Sequence, residues 1–314
     1  MTLAQTRPTL AAAFFRPFDT DADWWAIRDL LIRTHARAGV DFNWDIRHWD
    51  GARVPVNELY RSRIVRRGIG LWEADGRLVG AVHTEDGDDA FLQVDPDYRH
   101  IVPAMLAWAE DNLSTRRDGR RLTRTFCWDY DLLRVQALEQ RRYECTTDGG
   151  WTRIVRLGAW HIPDLPVAEP YRMRTTTQAT LYEDADALAR LHNAAFARTF
   201  HTRDEYMRFA TSSPSFRHDL NLVAEAPDGH FAAHVGVTYD EINNYGLLEP
   251  VCTDPRDQRH GLARALIFEG MRRLRDLGAS KASVQTGDME PANALYRSCC
   301  FTEEYRGHWW ELEQ

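Results

Sequence analysis

The chain has 314 residues, 44% hydrophobic and 27% charged, with a formal net charge of −8. That is about twice a usual domain of roughly 100–200 residues, so two domains are expected. The acid excess argues against nucleic-acid binding and favours a cationic acceptor, and no apolar run approaches the ~18 residues of a membrane span. Cys127, Cys145, Cys252, Cys299 and Cys300 show no metal-ligand spacing. Their odd number and scatter predict reduced thiols, a cytoplasmic protein and no metal.

Two short strands, Phe14 to Phe18 and Tyr171 to Thr175, lead into helices from Asp21 and Glu183. Each is followed by a hairpin. One turns at Asp75-Gly76 between Leu71–Ala74 and Leu78–Val82; the other turns at Pro227-Asp228-Gly229 between Asn221–Ala226 and Phe231–Thr238. Asp-Gly supplies the positive φ that tight hairpin turns demand. A further strand then ends at Asp95-Pro96 or Asp254-Pro255, ahead of a long amphipathic helix, and a strand, a short helix and final strands close each half. Arg16 and Arg174, Gly76 and Gly229, Asp95 and Asp254, and Tyr143 and Phe301 recur at offsets of 153 to 159 residues. Tandem duplication of one mixed α/β module explains both the order and the spacing. The Pro-rich stretch 161–170 separates the expected domains, 1–160 and 171–314.

In the second half, Leu247 to Thr253 reads as a buried strand broken by Pro250, which implies a bulge or a parting from the neighbouring strand. A helix is expected from near Arg259, with the apolar stripe Leu262, Leu266, Ile267, Met271, Leu274 and Leu277 and a left-handed end at Gly278. The first turn of a helix leaves about four amides unpaired, so Gly261 and small Ala263 suit a phosphate cradle, with Gln258, Arg259 and Arg264 as added donors. Tight helix packing is the other reading of Gly261.

Gln258-Arg259-His260-Gly261-Leu262-Ala263, after a strand and opening a helix, resembles the acetyl-CoA signature of the GNAT N-acetyltransferases. Ala292-Asn293-Ala294-Leu295-Tyr296, followed by Cys300-Phe301, resembles the family's later element, with Cys300 in place of a glycine. The resemblance implies an α/β architecture of two tandem GNAT folds, each a mixed, mostly antiparallel sheet flanked by helices. It implies that acetyl-CoA is held by Val251, Cys252, Thr253, residues 258–264 and Asn293, and that Tyr296 protonates the leaving thiolate. Tyr296 can equally be a core aromatic. Glu249 is the candidate base, or a carboxylate that satisfies backbone groups freed by the bulge.

In the first half the cradle position reads Arg99-His100-Ile101-Val102-Pro103-Ala104. Val102 stands for the glycine and Pro103 lacks an amide, so this half is not expected to catalyse. Arg66-Arg67-Gly68-Ile69-Gly70 precedes a strand and is read as a turn. The tandem plan, with the segment His192–Phe196, resembles the mycothiol synthases and implies a small-molecule amine acceptor. The helix His192–Phe196 and the acidic loop Asp240–Asn244 are the acceptor-site candidates, each open as well to being a packing face or a solvated loop. A peptide or antibiotic acetyltransferase, or a non-catalytic acyl-CoA sensor, are the competing readings, for a monomer or a homodimer.

Overall fold

A computed structural model describes residues 11–38, 42–52, 68–85, 87–158 and 161–314. The chain forms two compact units, each assembled from separated segments. One comprises Met1–Asp45, Arg61–Thr147 and His308–Gln314; the other comprises Ile46–Tyr60 and Asp148–Gly307.

In the first unit β1 (Phe14–Pro17) leads into α1 (Asp21–Ala38). Then follow β2 (Gly70–Ala74), β3 (Arg77–His83) and β4 (Phe91–Val94), and the sheet order is β1-β2-β3-β4, all antiparallel. The hairpin between β2 and β3 turns at Asp75 and Gly76, with φ of 51° and 69°, as the Asp-Gly pair predicts. Gly68 and Ile69 lead directly into β2; Arg66 and Arg67 lie outside the described residues. A 3₁₀ turn (Pro96–Ile101) precedes the helix Val102–Asn112, here α3, which buries Val102, Met105, Leu106 and Ala109. Next come β5 (Thr115–Arg117), β6 (Arg120–Trp128) and α4 (Leu132–Gln140). Residues 308–314 close this unit: Arg121 and Gln314 exchange two backbone hydrogen bonds, and Trp310 and Leu312 enter its core.

The second unit takes α2 (Ile46–Ala52) and residues 148–156 of β7 (Glu144–Arg156) from the first half of the chain. Its own elements are β8 (Arg172–Thr175), α5 (Leu181–Ala195), α6 (Arg203–Ser212), β9 (Asn221–Glu225) and β10 (Phe231–Asp240). They continue through β11 (Tyr245–Thr253), α7 (Leu262–Asp276), β12 (Lys281–Gly287), α8 (Glu290–Ser298) and residues 303–307 of β13 (Glu303–Glu313). The strand order is β7-β12-β11-β10-β9-β8, parallel only between β11 and β12. This is the mixed, mostly antiparallel sheet that the sequence implies. One face carries α7, whose Leu262, Leu266, Ile267, Met271 and Leu274 pack into the core with Val235, Val237 and Leu248. The other carries α5 and α6, with Leu188, Leu191 and Tyr206 against Val223 and Phe231. Helix α7 ends as predicted: Gly278 has φ +101°, and the Ala279 amide returns to the Leu274 carbonyl.

The duplication repeats down to single side chains. Arg16 bridges Asp23 and Glu73 in one unit, and Arg174 bridges Asp184 and Glu225 in the other. The Asp95 amide bonds the Val79 carbonyl and the Asp254 amide bonds the Ala232 carbonyl, both at 2.8 Å. Both carboxylates accept the amide two residues on, from Asp97 and Arg256. Arg142 and Cys300 close the matching helices α4 and α8 at φ of 65° and 66°, where the family pattern would place glycine. Among the described residues none of the five cysteines is in a disulfide.

Candidate active site

Strand β11 positions the site. Its parallel pairing with β12 runs over Tyr245↔Lys281, Gly246↔Ala282 and Leu247↔Ser283 and stops there, although both strands continue. On its other side the register with β10 slips between Val235↔Val251 and Val237↔Leu248. Gly236 therefore faces two residues, Glu249 and Pro250, and a Cβ on Gly236 would lie 2.5 Å from the Glu249 carbonyl oxygen. This is the bulge that Pro250 predicts: a residue without an N–H sits where the ladder is already broken. From Leu248 onward the β12-facing edge of β11 carries no ladder to that strand. Val251, Cys252 and Thr253 remain paired to β10 on the opposite edge.

The chain then bends at Asp254, whose carboxylate caps a short turn over Pro255–Asp257. The helix starts at Leu262, three residues later than the expected start near Arg259. The reason is backbone geometry: Arg259 (φ 71°) and Gly261 (φ 75°) are both left-handed, so helical φ/ψ cannot begin before Leu262. Gly261 is the N-cap and brings no side chain to the free amides of the first turn. A Cβ there would meet no protein atom within 4 Å, so Gly261 is not a helix-packing residue. Its backbone opens onto space in front of unpaired donors, the geometry an anion needs. Gln258, Arg259, His260 and Arg264 are exposed around this opening, with the His260 Nδ1 3.1 Å from the Asp257 carbonyl.

Tyr296 lies on α8, buried against Phe301 at a ring separation of 6.1 Å. Burial raises its phenol above the ordinary value of 10, and the nearby Glu249 carboxylate raises it further. Glu249 and Tyr296 are thus close enough for the carboxylate to act on the phenol. The Glu249 Oε2 atom is buried and lacks a hydrogen bond of good geometry, while the His48 Nε2 atom of α2 lies 3.4 Å from it. Asn293 has its amide engaged inside the protein. Its Oδ1 accepts from Arg153 at 3.0 Å and its Nδ2 donates to the Gly287 carbonyl at 3.0 Å, which ties α8 to the ends of β12 and β7. The cysteines near the site do not suit covalent catalysis, because burial pushes the Cys252 thiol up to about 12 and the Cys299 thiol up to about 11.

Of the two acceptor candidates, the loop Asp240–Asn244 is a self-satisfied turn. Asp240 accepts the amides of Ile242 and Asn243 and the Asn243 side chain. It sits at the Tyr245 end of β11, about 13 Å along the strand from Glu249 at roughly 3.3 Å per residue. His192 instead turns inward from the end of α5. Asn221 Nδ2 donates to Thr176 and Tyr206, so its Oδ1 accepts from His234 Nε2 at 2.7 Å. His234 Nδ1 is then the lone pair that accepts from His192 Nε2 at 2.9 Å. Burial lowers both imidazoles, His192 to about 3, so both are neutral. Cys252 stands beside this pair, and His230, Asp254 and Asp257 form a second group at ligand spacing. In the first group His192 and His234 bond each other; in the second His230 bridges Asp257 and, outside the group, Asp228, while Arg256 takes Asp254.

The first unit lacks the open cradle. The 3₁₀ turn runs directly into α3 through Ile101 in right-handed geometry, and the Val102 amide is already bonded to the Arg99 carbonyl. The Val102 side chain is buried in the core, and Pro103 supplies no donor.

His48, Arg47 and His234 are site neighbours that sequence reasoning missed. Arg47 lies 4.2 Å over the Phe209 ring. None of the three stands in a motif.

Residues 185–301 match the profile of the acetyltransferase (GNAT) family. No curated protein matches the chain by sequence. Among solved structures, the chain is similar to a GCN5-related N-acetyltransferase from Sphaerobacter thermophilus, with 17% identity, a TM-score of 0.63 and coverage of 96% of this chain and 95% of that one. It is also similar to a tandem GNAT protein from the clavulanic acid biosynthesis pathway, with 15% identity, a TM-score of 0.61 and coverage of 96% and 98%. A GNAT-family acetyltransferase from Colwellia psychrerythraea gives 9% identity, a TM-score of 0.54 and coverage of 96% and 99%. The fold is therefore that of the GNAT proteins along the whole chain.

Proposed function

We propose that the second unit transfers an acetyl group from acetyl-CoA to a primary amine of a small molecule by direct attack, and that the first unit does not catalyse. The observation that carries this reading is the free backbone edge of β11 after Leu247, which leads to the uncapped helix start at Gly261. The edge offers Val251 and Thr253 groups to an extended amide-bearing arm, as an added strand would use them. The amides after Gly261, with Gln258, Arg259 and Arg264, suit the pyrophosphate at the other end of that arm.

Glu249 takes a proton from the acceptor ammonium. The amine nitrogen then bonds to the thioester carbonyl carbon, the C–S bond breaks, and Tyr296 gives its phenol proton to the departing sulfur; the second proton that the nitrogen sheds on becoming an amide passes through water to the phenolate, and Glu249 returns its own to solvent. A raised phenol is a weaker acid, but the same burial raises the thiol that receives the proton. The two transfers are also coupled. Once Glu249 is protonated its charge no longer opposes the phenolate, so Tyr296 becomes a better acid at the moment it is needed. The likeness of plan to the mycothiol synthases supports a small-molecule acceptor, and the net charge of −8 suits a cationic one.

The test is thiol release from acetyl-CoA over a panel of amines, including peptides and aminoglycosides. Acceptor-dependent release carried by one small-amine class is the expected result. Tight CoA binding with no acceptor-dependent release across the panel would instead establish a sensor.

A further inference from the structure

Resting on Glu249 as the base, we infer that His48, from the first half of the chain, is a positioning residue for that carboxylate. His48 lies outside the family-matching segment 185–301, on α2, which groups with the second unit. Ile46, Trp49 and Asp50 of α2 are buried, and Arg47 is stacked on Phe209 of α6. The helix thereby delivers the His48 Nε2 atom to 3.4 Å from Glu249 Oε2, an otherwise unpartnered buried oxygen.

A carboxylate on a bulged strand has no regular ladder to fix its rotamer, and a base must stay within hydrogen-bond reach of the proton it abstracts. With its Nε2 atom 3.4 Å from Oε2, His48 needs only a small side-chain adjustment to donate to it, which would hold the group and leave Oε1 to face the acceptor ammonium. His48 touches neither acetyl-CoA nor the reacting atoms in this arrangement; it acts through Glu249.

The experiment compares His48→Ala, His48→Gln and Glu249→Gln in the full chain, reading kcat, the acceptor KM and the Kd for acetyl-CoA. Glutamine keeps an N–H donor near the position of the imidazole Nε2. We expect His48→Ala to lower kcat about 10–100-fold, in line with lost positioning of a general base, and to leave the acetyl-CoA Kd unchanged. His48→Gln should recover most of that loss. An unchanged kcat in His48→Ala, an equal loss in both His48 variants, or a parallel loss of acetyl-CoA affinity would each overturn the assignment. Glu249→Gln separates the two levels. A wild-type kcat there removes the base itself, whereas an inactive Glu249→Gln beside a fully active His48→Ala removes only the inference about His48.

Discussion

Replacing Gly261 with alanine separates the two readings of that glycine. At φ 75° any L-residue carries a left-handed cost of about 1–2 kcal/mol, equivalent to a drop of about 2–8 °C in Tm for a unit of this size. Packing adds nothing to this, because no protein atom lies within 4 Å of the new methyl group. The methyl would instead occupy the space in front of the free amides of α7. Displacing a phosphate from even one of those donors forfeits a charge-assisted hydrogen bond of about 1.5–3 kcal/mol, a loss of about 10–150-fold in affinity. Gly278→Ala is the matched control. It has φ 101° at the other end of the same helix, and its methyl would make only an ordinary 3.5 Å contact with the Tyr239 hydroxyl. Calorimetric titration with CoA and thermal melts of both variants give the readout. Both should melt earlier, and only Gly261→Ala should lose CoA affinity. Equal melting losses with unchanged CoA affinity in both would refute the cradle.

Tyr296→Phe should lower kcat by about 10²–10⁴ with little change in acetyl-CoA affinity; an unchanged kcat removes the phenol from the chemistry. Cys300→Gly relieves a left-handed non-glycine residue (φ 66°) at the end of α8. It should raise stability by about 0.5–1 kcal/mol in a chemical melt, net of the entropy glycine costs. His230 has its pKa raised above 6.5 by Asp257 and then Asp228, so its contribution is full below about pH 6.5 and is lost as pH rises through the folded value. The Tm gap between wild type and His230→Gln should therefore be wider at about pH 5.5 than at about pH 9, and a gap independent of pH contradicts the ion pair. The buried neutral pair His192 and His234 has the opposite sign. Stability present above about pH 6.5 should fall as acid is added toward about pH 3, measurably less so in a His192→Gln variant.

The glycine-opened helix was legible in the sequence because its signal is local: a strand, a turn and a glycine within a dozen residues. Its exact start was not, since nothing in the letters announces that Arg259 is left-handed as well as Gly261. Pro250 announced a bulge because it cannot donate, whereas its partner Gly236 looked like any strand glycine. His48 was invisible for a different reason. It stands 201 residues before Glu249, and only folding brings them together. His192 was noticed in a helical segment read as facing the acceptor, but hydrophobic spacing does not say that its ring is taken by His234. The same limit applies to strand partners: final strands are expected in each half, but the sequence does not name the sheet each one joins.

That exchange of closing strands has a consequence for biosynthesis. Residues 148–156, which complete the second unit's sheet, leave the ribosome before the rest of that sheet exists. Trp310 and Leu312, which complete the first unit's core, are made after nearly everything else. The first unit therefore waits, with an unfilled apolar face, through the translation of the whole second half. At about 5–20 residues per second that interval is roughly ten to thirty seconds. An apolar surface exposed for that long is the kind nascent-chain chaperones bind, and the first unit cannot be finished before the second has been made.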